Sequence, residues 1–199
     1  MLWLVRHGES TANVGASTND PGESPLTQRG RSQALTLAQQ LASVDRVICS
    51  HYVRAEQTAH IVAYDAGKGN KEVWPDIQEW NLLDATKYQG TNHTDRMDAV
   101  KAVVNRGDSD YADGPYAESF HDLLRRVHNF YERCQQLDPK ETTVIVSHGW
   151  FIKALLWSFA NRDYEPGQSP SGITSFWHFS QSFEIANCQR FSLTLASPD

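Results

Sequence analysis

The residues best suited to chemistry stand directly after the first predicted strand. Leu2 to Val5 is a short apolar run typical of a buried strand, and it ends abruptly in Arg6, His7 and Gly8. Arginine and histidine side chains both bind phosphate, and open α/β sheets bind ligands at the carboxyl ends of their strands. The sequence therefore predicts a phosphate site here. The alternative is a charged loop after a core strand.

Two further predicted strands lead into residues of the same kind. The strand at 46–49 is followed by Arg54, and the strand at 144–146 is followed by His148. Parallel strands bring their carboxyl ends to one edge of a sheet, so residues far apart in the sequence meet there. We therefore expect two arginines and two histidines to surround one phosphoryl group.

The elements that must position these residues alternate along the chain. Helices are predicted over about 26–43, 53–64, 95–105, 119–137 and 151–160, and strands over 2–5, 45–49, 72–77 and 142–146. From Ser175 to the end the pattern predicts one or two strands with a turn near Asn187. This order predicts an α/β fold of three layers, with a mainly parallel central sheet covered by helices on both faces.

Composition narrows the class of protein. The chain has 199 residues, for which a single domain over 1–199 is the default expectation. Its net charge of -6 argues against nucleic acid as a partner. The sequence shows no signal peptide and no apolar run long enough to span a membrane. The three cysteines, Cys49, Cys134 and Cys188, lack the spacing of metal ligands and fit packing positions in a cytoplasmic protein.

Five short motifs occur in order over residues 1 to about 155. They are Arg6-His7-Gly8-Glu9-Ser10 with Asn13, Leu26-Thr27 with Gly30, Ser50 with Arg54-Ala55 and Gln57-Thr58-Ala59, Glu118-Ser119-Phe120 ahead of Arg126, and Ser147-His148-Gly149. In this order they resemble the signature of the histidine phosphatase superfamily, also called phosphoglycerate mutase-like. The resemblance implies an enzyme that transfers phosphoryl groups without a metal ion or another cofactor.

The resemblance also implies a role for each of several residues. His7 is the expected nucleophile, and Arg6, Asn13, Arg54 and His148 are expected to bind the phosphoryl oxygens, with His148 also stabilising charge during transfer. The residue types support these roles, because neighbouring cations disfavour the imidazolium form of a histidine. Guanidinium groups also bind phosphoryl oxygens in bidentate fashion.

A carboxylic acid is needed to protonate the leaving oxygen. Glu79 is the candidate, since it lies where the family carries its proton donor. Asp84 and Glu118 are the alternatives, and Glu118 better fits a structural carboxylate that holds an arginine or a backbone N–H. Taken alone, Glu79 also fits a solvated carboxylate at the end of a strand.

Three departures from the family pattern bear on the activity. His51 follows Ser50 where proline is common, bulky Trp150 follows His148-Gly149, and the run expected of cofactor-dependent mutases is absent after Glu79. Together with Trp80 and Tyr88, His51 and Trp150 belong either to the pocket mouth or, as aromatic residues commonly do, to the core.

The leading interpretation is a phosphomonoester hydrolase that acts on a small phosphorylated metabolite through a phosphohistidine. The alternatives are a phosphoglycerate-type mutase, a protein phosphohistidine phosphatase and a non-catalytic module that binds a phosphorylated ligand. Residues 80–119 are predicted to form a lid-like insertion, which favours a small ligand.

Overall fold

A central sheet organises the computed structural model, which describes residues 1–41, 43–66, 71–164 and 171–195. In the described residues its strands are β1 (Leu2–Arg6), β2 (Arg46–Cys49), β3 (Lys71–Val73), β4 (Thr143–Ser147) and β5 (Arg190–Ser192), in the spatial order β3-β2-β4-β1-β5. β1 to β4 run parallel, and β5 pairs antiparallel with β1. The prediction of a mainly parallel sheet is confirmed.

Helices connect the strands. They are α1 (Gln28–Gln39), α2 (Val53–Ala66), α3 (His93–Asn105), α4 (Phe120–Cys134), α5 (Gly149–Ala160) and α6 (Gly172–Gln181), with short 3-10 helices at Thr11–Val14, Pro21–Glu23, Pro75–Ile77 and Ala85–Lys87. α1 begins where the sequence predicts, because the hydroxyl of Thr27 accepts a hydrogen bond from the N–H of Gly30 at 3.0 Å. None of the described helices combines the length and the apolar character that crossing a bilayer requires.

Two apolar cores lie on opposite faces of the sheet. Successive residues of a strand point to opposite faces, so Leu4 joins the core formed with α3, α4, α5 and α6, and Val5 joins the core formed with α1 and α2. On β4, Ile145 and Val146 divide in the same way. Helices on both faces confirm the predicted three-layer arrangement.

The strand register brings the predicted site residues together. Arg6 at the end of β1 pairs with Ser147 at the end of β4, and Cys49 of β2 pairs with Val146 on the other side of β4. The backbone N–H of His7 then donates to the carbonyl of Ser147 at 3.0 Å. The carboxyl ends of the three central strands therefore meet at one edge, as the sequence predicts.

The prediction of strands from Ser175 onward is wrong in part. Residues 172–181 form helix α6, whose Ile173 and Phe176 are buried three residues apart on one side. Aromatic and β-branched residues are common in strands, but a short apolar run can equally be a buried helix. The predicted turn near Asn187 is present and leads into β5. Position 42 of the predicted first helix and positions 196–199 of the last segment lie outside the described residues.

The predicted edge strand at 72–77 is shorter in the structure. β3 covers only Lys71–Val73, and Pro75 opens the 3-10 helix that follows. Proline has no N–H to donate to a neighbouring strand, so the strand ends before it.

Candidate active site

His7 lies directly after β1 with both ring nitrogens engaged. Nδ1 is 2.7 Å from the carbonyl oxygen of Gly8, and Nε2 is 3.0 Å from Nε of Arg54. A carbonyl can only accept and a guanidinium can only donate, so Nδ1 carries the proton and Nε2 offers its lone pair. His7 is therefore held as a neutral imidazole in one tautomer.

The surroundings of His7 keep it neutral. Burial is the main cause that lowers the pKa of His7 well below its ordinary 6.5, and the nearby guanidinium groups of Arg54 and Arg6 lower it further. The Gly8 carbonyl acts in the opposite direction, because it stabilises a protonated ring. The unprotonated nitrogen is consequently present at neutral pH.

Arg54 and Arg6 are the two arginines whose charges act on His7. Arg54, on α2, is only 6% exposed, and its Nη1 donates to the carbonyl of Pro21 at 2.5 Å. Arg6 donates through Nη1 to the carbonyl of Ile185, while its buried Nε has no partner among the described residues. Neither guanidinium has a carboxylate within ion-pair distance in the described part of the chain. Both keep N–H groups available for an anion.

His148 is fully buried beside His7, with the two ring centroids 5.1 Å apart. Neither of its ring nitrogens has a hydrogen-bond partner among the described residues. Burial, followed by the charge of Arg54, lowers the pKa of His148 well below 6.5. Buried polar atoms are normally satisfied, so this ring is positioned to bond with a ligand that enters beside His7.

Glu79 is anchored at the start of α5. Its Oε1 accepts from the backbone N–H groups of Trp80, Trp150 and Phe151 at 3.1, 3.0 and 3.3 Å. No described residue bonds to its Oε2, and Glu79 lines the same cavity as the two arginines. Burial raises the pKa of Glu79 above its ordinary value, although the nearby arginines and backbone N–H groups oppose that shift.

The two alternative acids are occupied elsewhere. Asp84 caps a 3-10 helix, and its hydrogen bond from the Thr86 hydroxyl, at 2.7 Å, is the main cause that lowers the pKa of Asp84. Glu118 accepts two hydrogen bonds of 2.7 Å from Arg126 and one of 3.2 Å from the N–H of Asn81. Glu118 thus holds an arginine and a backbone N–H, as its sequence context suggests.

Asn13 is oriented by a residue that lies outside the sequence motifs. Its Oδ1 accepts from the N–H of Ser10 at 3.0 Å and from Nδ2 of Asn187 at 3.3 Å, which leaves its own amide N–H groups for a ligand. Nδ2 of Asn187 also donates to the carbonyl of His7 at 3.0 Å. The sequence indicates only a turn near Asn187. In the structure this turn includes Cys188, whose φ of 58° is left-handed.

A cavity of about 740 Å³ opens above these residues. Its lining includes Arg6, Asn13, Arg54 and Glu79, whereas His7 and His148 are buried and do not line it. The predicted phosphate-binding residues are therefore brought together. Among the described residues, no group of three or more His, Cys, Asp or Glu side chains is placed to hold a metal ion.

Of the four ring-bearing residues considered for the pocket mouth, two line the cavity and two do not. Trp80 and Trp150 line the cavity, with their ring centroids 5.3 Å apart. His51 and Tyr88 are not among the described residues that line it. His51 instead packs edge-on against Tyr52, with ring centroids 4.9 Å apart.

The sequence profile of the histidine phosphatase superfamily, branch 1, matches residues 2–176. The chain belongs to this superfamily. The match covers both histidines, both arginines and Glu79, so the resemblance seen in the five motifs is confirmed. Asn187 lies beyond the matched range.

Proteins similar to this histidine phosphatase include phosphatases and a probable mutase. The adenosylcobalamin/alpha-ribazole phosphatase of Salmonella typhimurium is 31% identical over 182 residues, which are 89% of this chain and 84% of the relative. A probable phosphoglycerate mutase of Yersinia pestis is 30% identical over 157 residues, 78% of this chain and 72% of the relative. The crystal structure of the alpha-ribazole phosphatase from Shigella flexneri is 30% identical, with a TM-score of 0.66 over 94% of this chain and 86% of that one.

The buried histidines predict a specific dependence of stability on pH. An unfolded His148 takes up a proton as the pH falls below about 6.5, whereas the folded one stays neutral. Because the unfolded state then binds more protons, the free energy of unfolding falls with pH in this window. Relative to His148→Gln, we expect the wild type to lose about 1.4 kcal/mol more for each pH unit below 6.5.

Urea unfolding at a series of pH values between 7.5 and 5 measures this difference. His60→Gln is the control for the substitution itself, since His60 is exposed on α2, away from the two buried histidines. Parallel lines for wild type and His148→Gln would show that His148 takes up its proton in the folded state as well.

Proposed function

We propose that this histidine phosphatase hydrolyses small phosphomonoesters through a phosphohistidine on His7. The observation that carries the proposal is the neutral His7 ring, with Nδ1 bonded to a carbonyl and Nε2 directed at the guanidinium of Arg54. An unprotonated Nε2 beside two arginines that have no carboxylate partner in the described part of the chain suits attack on a phosphoryl group that those arginines hold.

In the first step, Nε2 of His7 attacks phosphorus, and the bond from phosphorus to the leaving oxygen breaks. Arg54 covers Nε2 at 3.0 Å, so its N–H must move from the ring to a phosphoryl oxygen as the substrate enters. The ring gains positive charge when the N–P bond forms, and the Gly8 carbonyl that accepts the Nδ1 proton stabilises that charge. Arg6, Asn13 and the unpartnered His148 supply the other contacts to phosphoryl oxygens.

Glu79 donates a proton in the first step and accepts one in the second. Its raised pKa favours the protonated carboxyl that gives its proton to the leaving oxygen. The resulting carboxylate then takes a proton from water, the water oxygen bonds to phosphorus, and the N–P bond breaks to restore His7. Three backbone N–H groups fix Oε1 and so leave Oε2 as the oxygen that faces the cavity.

The segment 80–119 supports a small substrate. It contains α3 and contributes Trp80, Leu82, Leu83 and Val100 to the cavity wall. We interpret it as a lid-like insertion of a single domain, since one sheet carries both apolar cores. The alpha-ribazole phosphatases among the relatives suggest phosphomonoesters with a ring-containing body as the first to assay.

A phosphoryl group on His7 is the most direct evidence for this chemistry. After brief exposure of the wild type to a ³²P-labelled phosphomonoester, we expect acid-labile label on the peptide that contains His7. His7→Ala should lose the label and at least about a thousandfold in turnover, because the variant lacks the attacking nitrogen. His60→Ala is the matched control, since His60 is exposed on α2.

The products separate hydrolysis from the mutase alternative. A hydrolase releases inorganic phosphate, whereas a mutase returns the phosphoryl group to the organic product as a positional isomer. Label on serine, aspartate or cysteine instead of His7 would contradict the proposed nucleophile.

The role of Glu79 predicts a dependence on the leaving group. Glu79→Gln should slow phosphorylation by alkyl phosphates by about a hundredfold to ten-thousandfold, because a strongly basic leaving oxygen needs a proton. Nitrophenyl phosphate should lose much less, since its leaving group is a weak base. Single-turnover phosphorylation with a series of leaving groups measures the effect separately from dephosphorylation.

Asp84→Asn and Glu118→Gln are the comparison variants. Neither should change the slope of rate against leaving-group basicity, and Glu118→Gln should mainly lower stability because Arg126 loses its paired carboxylate. A flat series for Glu79→Gln beside a steep one for either comparison variant would assign the acid role to that other residue.

A further inference from the structure

The cavity is much larger than a phosphoryl group requires. Its volume of about 740 Å³ lies within the roughly 300–1,000 Å³ of pockets that enclose whole metabolites. Arg6 and Arg54 would hold only the phosphoryl group, so most of the volume is left for the organic part of the substrate. The side chains around that remaining volume therefore carry information about the substrate.

Two further cations line the cavity besides Arg6 and Arg54, and one of them, Lys153, is close enough to Arg6 for the two charges to interact. Arg96 lies on α3, and Lys153 lies on α5 one helical turn after Gly149. Both side chains are partly buried, and burial lowers the pKa of each. Neither has a carboxylate within ion-pair distance among the described residues.

Backbone carbonyls are the only hydrogen-bond partners of these cations among the described residues. Nε of Arg96 donates to the carbonyl of Asn92 at 3.2 Å, which leaves both terminal nitrogens of the guanidinium free. Nζ of Lys153 donates to the carbonyl of Ser180 and keeps two further N–H groups. Asp95 acts on Arg96, and Glu184 and Glu79 act on Lys153, but only from beyond ion-pair distance. A partly buried cation without a direct ion pair is unfavourable, and an anionic ligand would supply that pair.

The balance of charge around the cavity also favours an anionic ligand. The charged side chains that line it in the described residues are the cations Arg6, Arg54, Arg96 and Lys153 and the carboxylates Glu79 and Glu184. The chain as a whole has a net charge of -6, so this positive lining is local. With Glu79 protonated as the acid, a phosphate dianion still leaves an excess of positive charge in the cavity.

Apolar side chains also line the cavity. Leu82, Leu83, Val100 and Phe183 line the cavity, and Nζ of Lys153 lies 5.2 Å from the centre of the Phe183 ring. These surfaces suit a hydrophobic or ring-shaped body that separates two charged ends.

We infer that the substrate carries a second anionic group, a carboxylate or another phosphate, and that Arg96 and Lys153 bind it. The second anion would lie in the same cavity as the phosphoryl group held by Arg6 and Arg54, beside the apolar side chains that line it. This inference deepens the proposed function and rests on the same cavity, so its test is a binding measurement that needs no turnover.

Three phosphonates, which cannot be hydrolysed, test the inference by calorimetric titration: benzylphosphonate, 4-carboxybenzylphosphonate and 1,4-xylylene bisphosphonate. The wild type should bind at least one of the two ligands with a second anion about tenfold to a hundredfold more tightly than benzylphosphonate. Arg96→Met and Lys153→Met should each remove most of that preference. The ligand that shows the preference distinguishes a carboxylate from a phosphate.

Lys101→Met is the control, since Lys101 lies on the same helix as Arg96 but is 58% exposed and close to Asp98. Its preference should equal that of the wild type. Equal affinity of the wild type for all three phosphonates would overturn the inference, as would losses that are the same for benzylphosphonate and the doubly anionic ligands. A preference without any phosphatase activity would leave the second-anion site standing and contradict the proposed function alone.

Discussion

The two hydrogen bonds to the ring of His7 are the constraint on which the rest of the site depends. The Gly8 carbonyl accepts from Nδ1 and so fixes the proton there, and Arg54 donates to the lone pair on Nε2. The surrounding backbone is tied to the same residues, because Thr58 accepts from the N–H of Gly8 at 3.0 Å and donates to the carbonyl of Arg54 at 2.7 Å. A side chain at Gly8 would meet the carbonyl oxygen of Gly30 at 2.5 Å, so glycine is required for the approach of α1. The histidine and its arginine are thus held by one continuous set of contacts.

The buried polar groups of the site that lack a hydrogen-bond partner among the described residues lie close to His7. The Nε of Arg6 and both nitrogens of His148 are buried without partners among the described residues, next to a fully bonded His7. Groups of this kind normally cost free energy, and here they lie beside the histidine whose lone pair accepts from Arg54. Under the proposed function, a bound phosphoryl group would satisfy them together, and the site would be preorganised for the charge that develops during transfer.

Much of the fold could be predicted because it follows from local patterns. The strands before His7 and His148 are short apolar runs, and α1 starts at its threonine cap. The convergence of those strand ends follows from parallel pairing alone. Residues 175–181 of helix α6 are predicted as strand, because the residue types around the buried Phe176 also suit strands.

The parts of the site that the sequence does not predict depend on contacts between distant segments. Asn187 reaches His7 across 180 residues of sequence, and nothing in its own neighbourhood indicates that contact. Glu79 could be named from the family pattern, but its anchoring by the first N–H groups of α5 is visible only after the chain has folded. The cations of the cavity, Arg96 and Lys153, lie on two helices whose juxtaposition is likewise a property of the tertiary structure.

The central claim is that His7 is a neutral imidazole with its proton on Nδ1 and its lone pair on Nε2. Long-range ¹H–¹⁵N correlation spectra of histidine-labelled protein report both nitrogens directly, and His7→Gln identifies the signals of this residue. From pH 8 down to about 5, the account predicts a protonated signal for Nδ1 and an unprotonated signal for Nε2, without change, because burial and the arginines hold the pKa of His7 well below 6.5. A proton on Nε2 at neutral pH, or a titration of the ring near 6.5, would contradict it.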